Sequence, residues 1–251
     1  MYKIPANLGF PSNLVHYLPT CHSTNEIAVN LLGSGLDEGS LIITDNQTAG
    51  TGQPGNSWES KPYNNLTFSL VLRPSFLELK KQFRLTQAIS ISLANQVQEY
   101  VSGVVKIKWP NDIYIGDRKV AGILIQNSVK NKSFEASIVG IGLNVNQDEF
   151  ETPRAVSLKI ASGKTYDLNA VLVDLVESIS AGYNELKTGI YSRLNEEYQD
   201  LLYARNKPGL FESDERFTGE IIGTDQIGRL MIQTANGVKC FQNQEVKLIR
   251  V

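Results

Sequence analysis

Cationic side chains are concentrated in residues 106–122, whose sequence is KIKWPNDIYIGDRKVAG. A lysine ammonium group is a compact charge that binds phosphate or carboxylate oxygens, so this stretch is a candidate site of phosphate chemistry. Apolar and basic residues alternate from 104 to 109, which predicts a strand with Lys106 and Lys108 on one face. Pro110 ends that strand, because proline has no backbone N–H to donate to a sheet.

A hairpin is predicted to follow. The dipeptide at 116–117, Gly-Asp, has turn chemistry, and residues 119–126 return as a second strand. This hairpin would bring Asn111, Asp112 and Lys119 to one mouth. The alternative is an ordinary hairpin with solvated charges.

A glycine-rich segment, DNQTAGTGQPGNSW at 45–58, follows a predicted buried strand at 41–44. Its glycines match G-x-G-x-x-G, but that dinucleotide motif must open a helix at once. Here Pro54 and the next glycine disfavour a helix, and a further apolar strand is predicted at 66–72. We therefore interpret the segment as a flap between two strands, with backbone amides able to approach phosphate. The alternative is a surface loop without chemistry.

Two further polar segments are candidates for ligand binding. Ser23 and Glu26 form the pattern of a capping box, which predicts a helix start, and a cap can also hold a small polar ligand. Gly140 and Gly142 lie two apart in a predicted strand at 134–143, which indicates a bulge or close approach by a ligand or by backbone. Asn144 at the end of that strand is either a nucleotide-binding side chain or a simple turn residue.

The remaining elements are predicted to be a strand at 14–18, a helix at 82–100, and helices at 168–186 (capped by Asp167) and 191–203. A boundary is predicted at the Asn-Lys-Pro-Gly sequence of 206–209. After it, four short strands are predicted, at 216–223, 229–234, 238–242 and 245–249, which suggests a small SH3-like barrel. We accordingly divide the chain into a catalytic domain, 1–207, and a barrel, 208–251.

Composition limits the classes of function. A net charge of −2 over 251 residues argues against a general nucleic-acid or membrane surface. Cys21 and Cys240 have no metal-site or disulfide spacing, and two histidines are too few for the usual zinc site. No apolar leader or long apolar run occurs, so we expect a cytoplasmic location.

Taken in order, these motifs resemble the biotin protein ligases, which adenylate biotin and attach it to carboxylase carrier proteins. The resemblance rests on STN at 23–25, DNQTAGTG at 45–52 with Trp58, KWPND at 108–112, RKVAGIL at 118–124 and GIGLN at 140–144. The lysine-bearing motifs are highly specific, whereas the glycine loop alone is weak. Because only about 13 residues precede the first predicted strand, we expect the monofunctional type without a DNA-binding domain.

The resemblance implies an α+β fold, a mixed β-sheet with flanking helices related to class II aminoacyl-tRNA synthetases and lipoate ligases, followed by the small barrel. It also implies two steps. ATP and biotin give biotinyl-5′-AMP and pyrophosphate with Mg²⁺ assistance, and a lysine of a biotin carboxyl carrier protein then attacks the mixed anhydride. Mg²⁺ is expected to accompany ATP, since no side-chain cluster for a metal is predicted. The oligomeric state, monomer or homodimer, stays open.

The resemblance also assigns site residues. Lys119 is expected to be the principal catalytic cation, between the biotin carboxyl and the α-phosphate, and Lys108 the second, with a solvated strand charge as its alternative. Biotin is expected to contact Lys119 and Ser23, Thr24, Asn25, Gln47, Gly50, Thr51, Gly52, Gln53, Gly122, Gly140 and Gly142. ATP is expected to contact both lysines and Trp58, Asn111 and Asn144.

One departure from the family pattern concerns the flap. Well-known members carry arginines after its first two glycines, whereas this chain has Thr51 and Gln53 there and no basic residue from 45 to 60. Our hypothesis is that the adenylate is held less firmly, because each missing charged hydrogen bond is worth about 1.5–3 kcal/mol. A weakly active, degenerate enzyme is the minority alternative.

Two other functions remain open at this level. A lipoate or octanoate ligase of the same superfold would need an apolar tunnel instead of polar partners such as Gln47. A non-catalytic ligand-binding relative would keep the fold without turnover, and the arginine-free flap is the best support for it.

Overall fold

A computed structural model describes residues 2–5, 9–11, 14–53 and 55–250; Pro54 of the flap lies outside the described residues. The strands are β1 Val15–Cys21, β2 Leu41–Gln47, β3 Leu66–Leu72, β4 Val105–Lys108, β5 Asp112–Ile115, β6 Arg118–Lys130, β7 Ser133–Leu143, β8 Pro208–Glu212, β9 Arg216–Thr224, β10 Leu230–Thr234, β11 Gly237–Phe241 and β12 Lys247–Arg250. The helices are α1 Thr24–Leu31, α2 Gln82–Tyr100, α3 Leu158–Ser162, α4 Leu168–Lys187 and α5 Tyr191–Leu201.

The first seven strands form one mixed sheet in the order β1-β2-β3-β7-β6-β5-β4. Strands β1 and β2 are parallel, and the other neighbours in this sheet are antiparallel. The predicted hairpin is confirmed, since Ile115 pairs with Arg118 across a two-residue turn. The fold class is therefore the expected α+β class.

Helices cover both faces of this sheet. On one face α1 contributes Ala28 to a small apolar cluster with Ile42, Val71 and Ile138. The larger core on the opposite face is built from β2, β3 and the apolar sides of α2 and α4. Because side chains alternate along a strand, residues two and four positions from Val71, namely Ser69 and Thr67, point to the α1 face.

The long helices match their sequence patterns. Helix α2 has the predicted bounds, and eleven of its residues are buried along a wide face. Helix α4 begins after Asp167, whose carboxylate accepts a hydrogen bond from the Ala170 N–H, as the cap prediction requires. Helix α5 ends at Leu201, two residues before the predicted end.

The capping box predicted for Ser23 and Glu26 is wrong. Ser23 precedes α1 in an extended conformation, but its side chain makes no cap hydrogen bond. The Ser23 side chain is nearly fully buried and lines a cavity, so it is turned away from the helix amides.

The C-terminal strands form a five-stranded antiparallel sheet in the order β11-β10-β9-β8-β12. Strand β8, which was missed in the sequence, begins at the predicted boundary with Pro208. Among the described residues no pairing joins β11 to β12, so the structure shows an open five-stranded sheet, and its closure into a barrel stays a prediction. The boundary between the two predicted domains stays a prediction.

The C-terminal sheet contacts the central hairpin. The Trp109 indole N–H donates to the Gly228 carbonyl oxygen at 2.9 Å. A Cβ atom at Gly228 would lie 2.3 Å from the Phe83 ring of α2, so glycine is required for this approach. The Tyr198 hydroxyl of α5 donates to the Pro110 carbonyl oxygen at 2.7 Å. Trp109 and Pro110, which lie in the turn between β4 and β5, are therefore held by residues of the C-terminal half of the chain.

No helix among the described residues has the length and apolar character needed to cross a membrane.

Candidate functional site

A cavity of about 320 Å³ opens on the α1 face of the large sheet. This volume is at the lower end of the range for small-molecule sites. It is lined by Ser23, Thr24, Asn25, Gln47, Thr51, Gly52, Gln53, Asn56, Ser57, Trp58, Thr67, Asn111, Asp112, Tyr114, Lys119, Gly122, Ile123, Leu124, Gly140, Ile141, Gly142, Thr152 and Pro153. Lys119 and Asp112 are the only charged residues in that lining, which is otherwise neutral and largely polar.

The charged pair lies at the mouth of the hairpin. The Lys119 ammonium is 2.7 Å from the Asp112 carboxylate, and both side chains are about one third exposed, at 31% and 32%. The same ammonium lies 5.7 Å from the centroid of the Trp58 ring. Lys119 is therefore positioned from two sides, by an anion and by an aromatic face that attracts cations.

Glycines form the floor of the cavity. Gly122 pairs with Gly142 across β6 and β7, so two residues without side chains lie opposite each other. A Cβ atom at Gly142 would lie 2.3 Å from the Trp58 indole, and one at Gly140 would lie 2.3 Å from the Asn25 amide oxygen. The sequence predicted a bulge or close approach by a ligand or backbone at these glycines, and the groups that approach here are instead side chains of the protein.

The flap is folded back on itself as a short hairpin. Thr51 pairs with Ser57, and the Trp58 N–H donates to the Gly50 carbonyl oxygen at 2.8 Å. The Gln53 side-chain amide donates to the Asn111 side-chain oxygen at 3.0 Å, which connects the flap to the hairpin mouth. The helix required by a dinucleotide motif is absent from the described part of this segment, as the sequence indicated.

The opposite end of the cavity carries uncharged polar groups. The Gln47 side-chain oxygen accepts a hydrogen bond from the Thr24 backbone N–H at 3.0 Å. Because a backbone N–H can only donate, this bond assigns the oxygen and nitrogen of the Gln47 amide. Ser23 and Thr24 are almost fully buried beside it, with 2% and 4% of their surface exposed.

Lys108 is next to the cavity but does not line it. Its ammonium lies 3.4 Å from the Tyr114 hydroxyl and 5.2 Å from the Tyr114 ring centroid. Burial lowers the pKa of Lys108, Asp112 opposes this shift, and three nearby cations add to it, namely Lys119, Arg154 and Lys247. Burial, with Asp112 and Tyr203 as further causes, raises the pKa of Tyr114 to about 12.

Asn144 also lies outside the cavity lining. It is buried, and its side-chain N–H donates to the Val156 carbonyl oxygen at 3.1 Å. Its side-chain oxygen is buried without a hydrogen-bond partner among the described residues. The structure therefore places Asn144 in the framework behind the site.

Glu59 holds a loop that forms one edge of the cavity, and no sequence motif indicated this role. Its carboxylate accepts from the Thr152 N–H at 2.8 Å, the Thr152 hydroxyl at 2.6 Å and the Glu151 N–H at 3.0 Å. Burial alone raises the pKa of Glu59, but these hydrogen bonds outweigh burial and hold the pKa below its usual value. The same loop donates and accepts backbone bonds with Lys119 through Arg154 and Val156.

The cavity thus gathers most of the predicted residues. Of the expected ligand contacts, Lys108, Gly50 and Asn144 do not line it. Gly50 lies directly behind the lining, because a Cβ atom there would be 2.6 Å from the Trp58 carbonyl oxygen and 2.8 Å from the Gln47 amide nitrogen. The roles assigned to all these residues stay predictions.

Among the described residues, no group of three or more histidine, cysteine, aspartate or glutamate side chains is placed to hold a metal ion.

Comparison with known proteins gives consistent results. The profile of the Biotin/lipoate A/B protein ligase family matches residues 17–144. The bifunctional ligase/repressor BirA of Bacillus subtilis is 29% identical over 92% of this chain and 73% of its own length. A biotin–[acetyl-CoA-carboxylase] ligase of Paracoccus denitrificans is 35% identical over 49% of this chain and 51% of its own length. The structure of the biotin protein ligase of Aquifex aeolicus with biotin and ATP superposes with a TM-score of 0.80, at 27% identity, over 96% of this chain and all of the other.

Proposed function

Because the chain belongs to the Biotin/lipoate A/B protein ligase family, we propose that this cavity joins biotin to ATP and then passes the biotinyl group to a protein. The enzyme adenylates biotin to biotinyl-5′-AMP. The acceptor is a specific lysine of a biotin carboxyl carrier protein of acetyl-CoA carboxylase or a related carboxylase. Two observations support this proposal. The relatives that match the chain are named as biotin ligases. The cavity has one cation and one anion at its mouth and neutral polar groups at its other end.

Each step has a simple electron balance. A carboxylate oxygen of biotin attacks the α-phosphorus of ATP, and the bond to the bridging oxygen breaks, so that pyrophosphate leaves with the electron pair. The carrier lysine, as the free amine, then attacks the carbonyl carbon of the mixed anhydride, AMP leaves, and the amine proton passes to solvent. Both steps need positioning and charge stabilisation more than acid–base groups.

Lys119 is the residue we assign to this charge stabilisation. Negative charge builds on the phosphate as the first bond forms, and a cation already held by Asp112 and Trp58 meets it without reorganisation. Lys108 is a second source of positive potential, placed behind Tyr114.

The polar end fits the ureido ring of biotin. Thr24 and Ser23 are buried and Gln47 is half-buried, and these three neutral groups offer hydrogen bonds to a small heterocycle. Leaving them unpaired against an apolar dithiolane is costly. This favours biotin over lipoate or octanoate as the substrate. We expect Trp58 to cover the adenine and Asn111 to bind the nucleotide.

Magnesium is expected to enter with ATP, held by phosphate oxygens. The residues described along the cavity supply a single carboxylate, Asp112, and it is paired with Lys119, so they do not offer a separate metal cage. A bound Mg²⁺ would neutralise phosphate charge. Nucleic-acid binding is not part of the proposal, and the choice between monomer and homodimer stays open.

The deciding experiment measures pyrophosphate release from ATP in the presence of biotin, lipoate or neither. We expect release with biotin alone, and transfer to a biotin carboxyl carrier domain detected by mass. Release that requires lipoate would establish the alternative ligase, and no release with either acid would establish a binding protein without turnover.

A further inference from the structure

Beneath the cavity, Thr24 and Asn25 are joined to two polar side chains that no motif identified, Ser69 and Gln126. Ser69 of β3 is fully buried, and its hydroxyl is 2.6 Å from the Asn25 side-chain oxygen and 2.8 Å from the Thr24 hydroxyl. On its other side, the Asn25 side-chain nitrogen donates to the Gln126 side-chain oxygen at 3.0 Å and to the Leu124 carbonyl oxygen at 3.4 Å. Gly140 leaves the space that the Asn25 amide occupies.

The direction of each hydrogen bond follows from what each group can donate. The Leu124 carbonyl can only accept, so the nitrogen of the Asn25 amide must face it and the oxygen must face Ser69. The single hydroxyl hydrogen of Ser69 is therefore donated to that oxygen. The hydrogen between the two hydroxyl oxygens of Ser69 and Thr24, 2.8 Å apart, then comes from Thr24. The Gln47 side-chain oxygen, at 3.4 Å from the Thr24 hydroxyl, is the more distant acceptor for that hydrogen.

This assignment determines what the cavity presents to a ligand. With its own hydrogen directed to Ser69, the Thr24 hydroxyl presents lone pairs to the cavity and acts as an acceptor. The Gln47 side-chain oxygen accepts from the Thr24 N–H, so the Gln47 side-chain nitrogen remains as a donor to a ligand. An acceptor beside a donor is complementary to a cyclic urea, whose N–H lies beside its carbonyl oxygen. Asn25, by contrast, has both ends of its amide occupied within the protein.

We infer that Ser69, Asn25 and Gln126 are positioning residues that fix the polarity of the Thr24 hydroxyl, and that this polarity selects ligands with an N–H donor next to a carbonyl acceptor. The inference rests on the proposed function, since it specifies how the ureido end of biotin is recognised. It changes the role predicted for Asn25, from a direct contact of biotin to a residue acting through Thr24.

The first test is calorimetric binding of biotin without ATP to wild type and Ser69→Ala. Loss of one buried hydrogen bond and of the acceptor polarity is expected to weaken biotin binding about tenfold. The KM for ATP should stay unchanged. Ser137→Ala is the matched control, because Ser137 is a fully buried serine of the adjacent strand β7 that donates to Asn127 and does not line the cavity.

The second test replaces Gln126, which is exposed, so these variants are expected to fold. A carboxylate in Gln126→Glu still accepts from Asn25, so biotin affinity should stay within twofold of wild type, whereas Gln126→Met should bind several-fold more weakly. This pair decides the question if Ser69→Ala does not fold.

The third readout is selectivity. The probes are biotin and the two cyclic carbamates in which a ring oxygen replaces one ureido N–H. Wild type should bind the carbamate that lacks the donor facing Thr24 at least tenfold more weakly than biotin, and Ser69→Ala should reduce that ratio. A general loss of packing would weaken all three ligands equally.

The outcomes are separable. Equal biotin affinity of Ser69→Ala and wild type, equal weakening by Ser69→Ala and Ser137→Ala, or an unchanged selectivity ratio would each overturn the inference while leaving the proposed function standing. Failure of wild type to bind biotin would overturn the proposed function, and the inference with it.

Discussion

The Lys119 ammonium and the Asp112 carboxylate meet at 2.7 Å across neighbouring strands of the central hairpin. Asp112 pairs with Gly122 in the β5–β6 ladder, so the absence of a side chain at 122 leaves room for the lysine to reach the aspartate. Asp112 therefore holds the Lys119 ammonium, the cation of the proposed reaction, in position before any substrate binds. The consequence of this pairing for activity is directly measurable.

Lys119→Gln is expected to lower the rate of biotin-dependent pyrophosphate release about 10²- to 10³-fold, as removal of one preorganised charge donor does at other sites. Transfer from chemically supplied biotinyl-5′-AMP is expected to fall less, since the phosphate charge is already in place. Lys164→Gln, an exposed lysine outside the cavity, is the control. An undiminished rate in Lys119→Gln would show that another group carries the charge.

Lys108 illustrates a conflict between stability and function. Its folded pKa is lowered chiefly by burial, so below that pKa the charged form destabilises the folded protein, and the cost disappears only as the pH rises through the unfolded value of about 10.4. At pH 7 we therefore expect Lys108→Met to raise the melting temperature and to raise the KM for ATP.

Lys106→Met is the matched variant, because Lys106 lies on the same face of β4 and its ammonium donates to the Asp200 carbonyl oxygen instead. It should leave both quantities unchanged. A lower melting temperature for Lys108→Met with normal kinetics would contradict the prediction.

Thr51 occupies a flap position where a basic residue is expected to grip the adenylate. Thr51→Arg should slow the release of biotinyl-5′-AMP about tenfold or more, since one charged hydrogen bond is worth about 1.5–3 kcal/mol. The measurement is the half-life of radiolabelled adenylate on the enzyme. Thr165→Arg adds the same charge outside the cavity lining and should change nothing. Equal half-lives for Thr51→Arg and wild type would exclude the leaky-flap hypothesis.

The lowered pKa of Glu59 predicts that the stability of the folded protein depends on pH. Its folded pKa is lowered, so its hydrogen bonds contribute stability above the unfolded pKa of about 4.3, and this contribution is lost as the pH falls through the folded value. Glu59→Gln should melt below wild type at pH 7, and the difference should vanish under acid conditions. Glu149→Gln, an exposed change in the same loop, serves as control. A constant difference at all pH values would refute the assignment.

Local patterns predicted the framework well. The apolar spacing from 82 to 100, the cap at Asp167 and the turn at 116–117 each depend on a few neighbouring residues, and the structure confirms all three. The order of the motifs was equally informative. It predicted that Lys119, Asn111 and Gln47 belong to one site although they are distant in sequence, and all three line the same cavity.

Long-range contacts set the limit of this reasoning. The Ser23 side chain makes no cap bond because it is directed to the cavity, a choice that the adjacent sequence does not reveal. Ser69 and Glu59 are ordinary polar residues in the sequence, and only the folded chain places them against Thr24 and Thr152. Asn144 follows a ligand-like glycine motif yet binds the backbone at Val156.

The bond from the Trp109 indole to Gly228 ties the turn that precedes Asn111 and Asp112 to the C-terminal sheet. Truncation at the boundary near 207 would remove the indole's acceptor and uncover the Phe83 ring that Gly228 now touches. The catalytic sheet and the last five strands should therefore melt as one cooperative unit, and two separate calorimetric transitions would argue that the ends are thermodynamically independent.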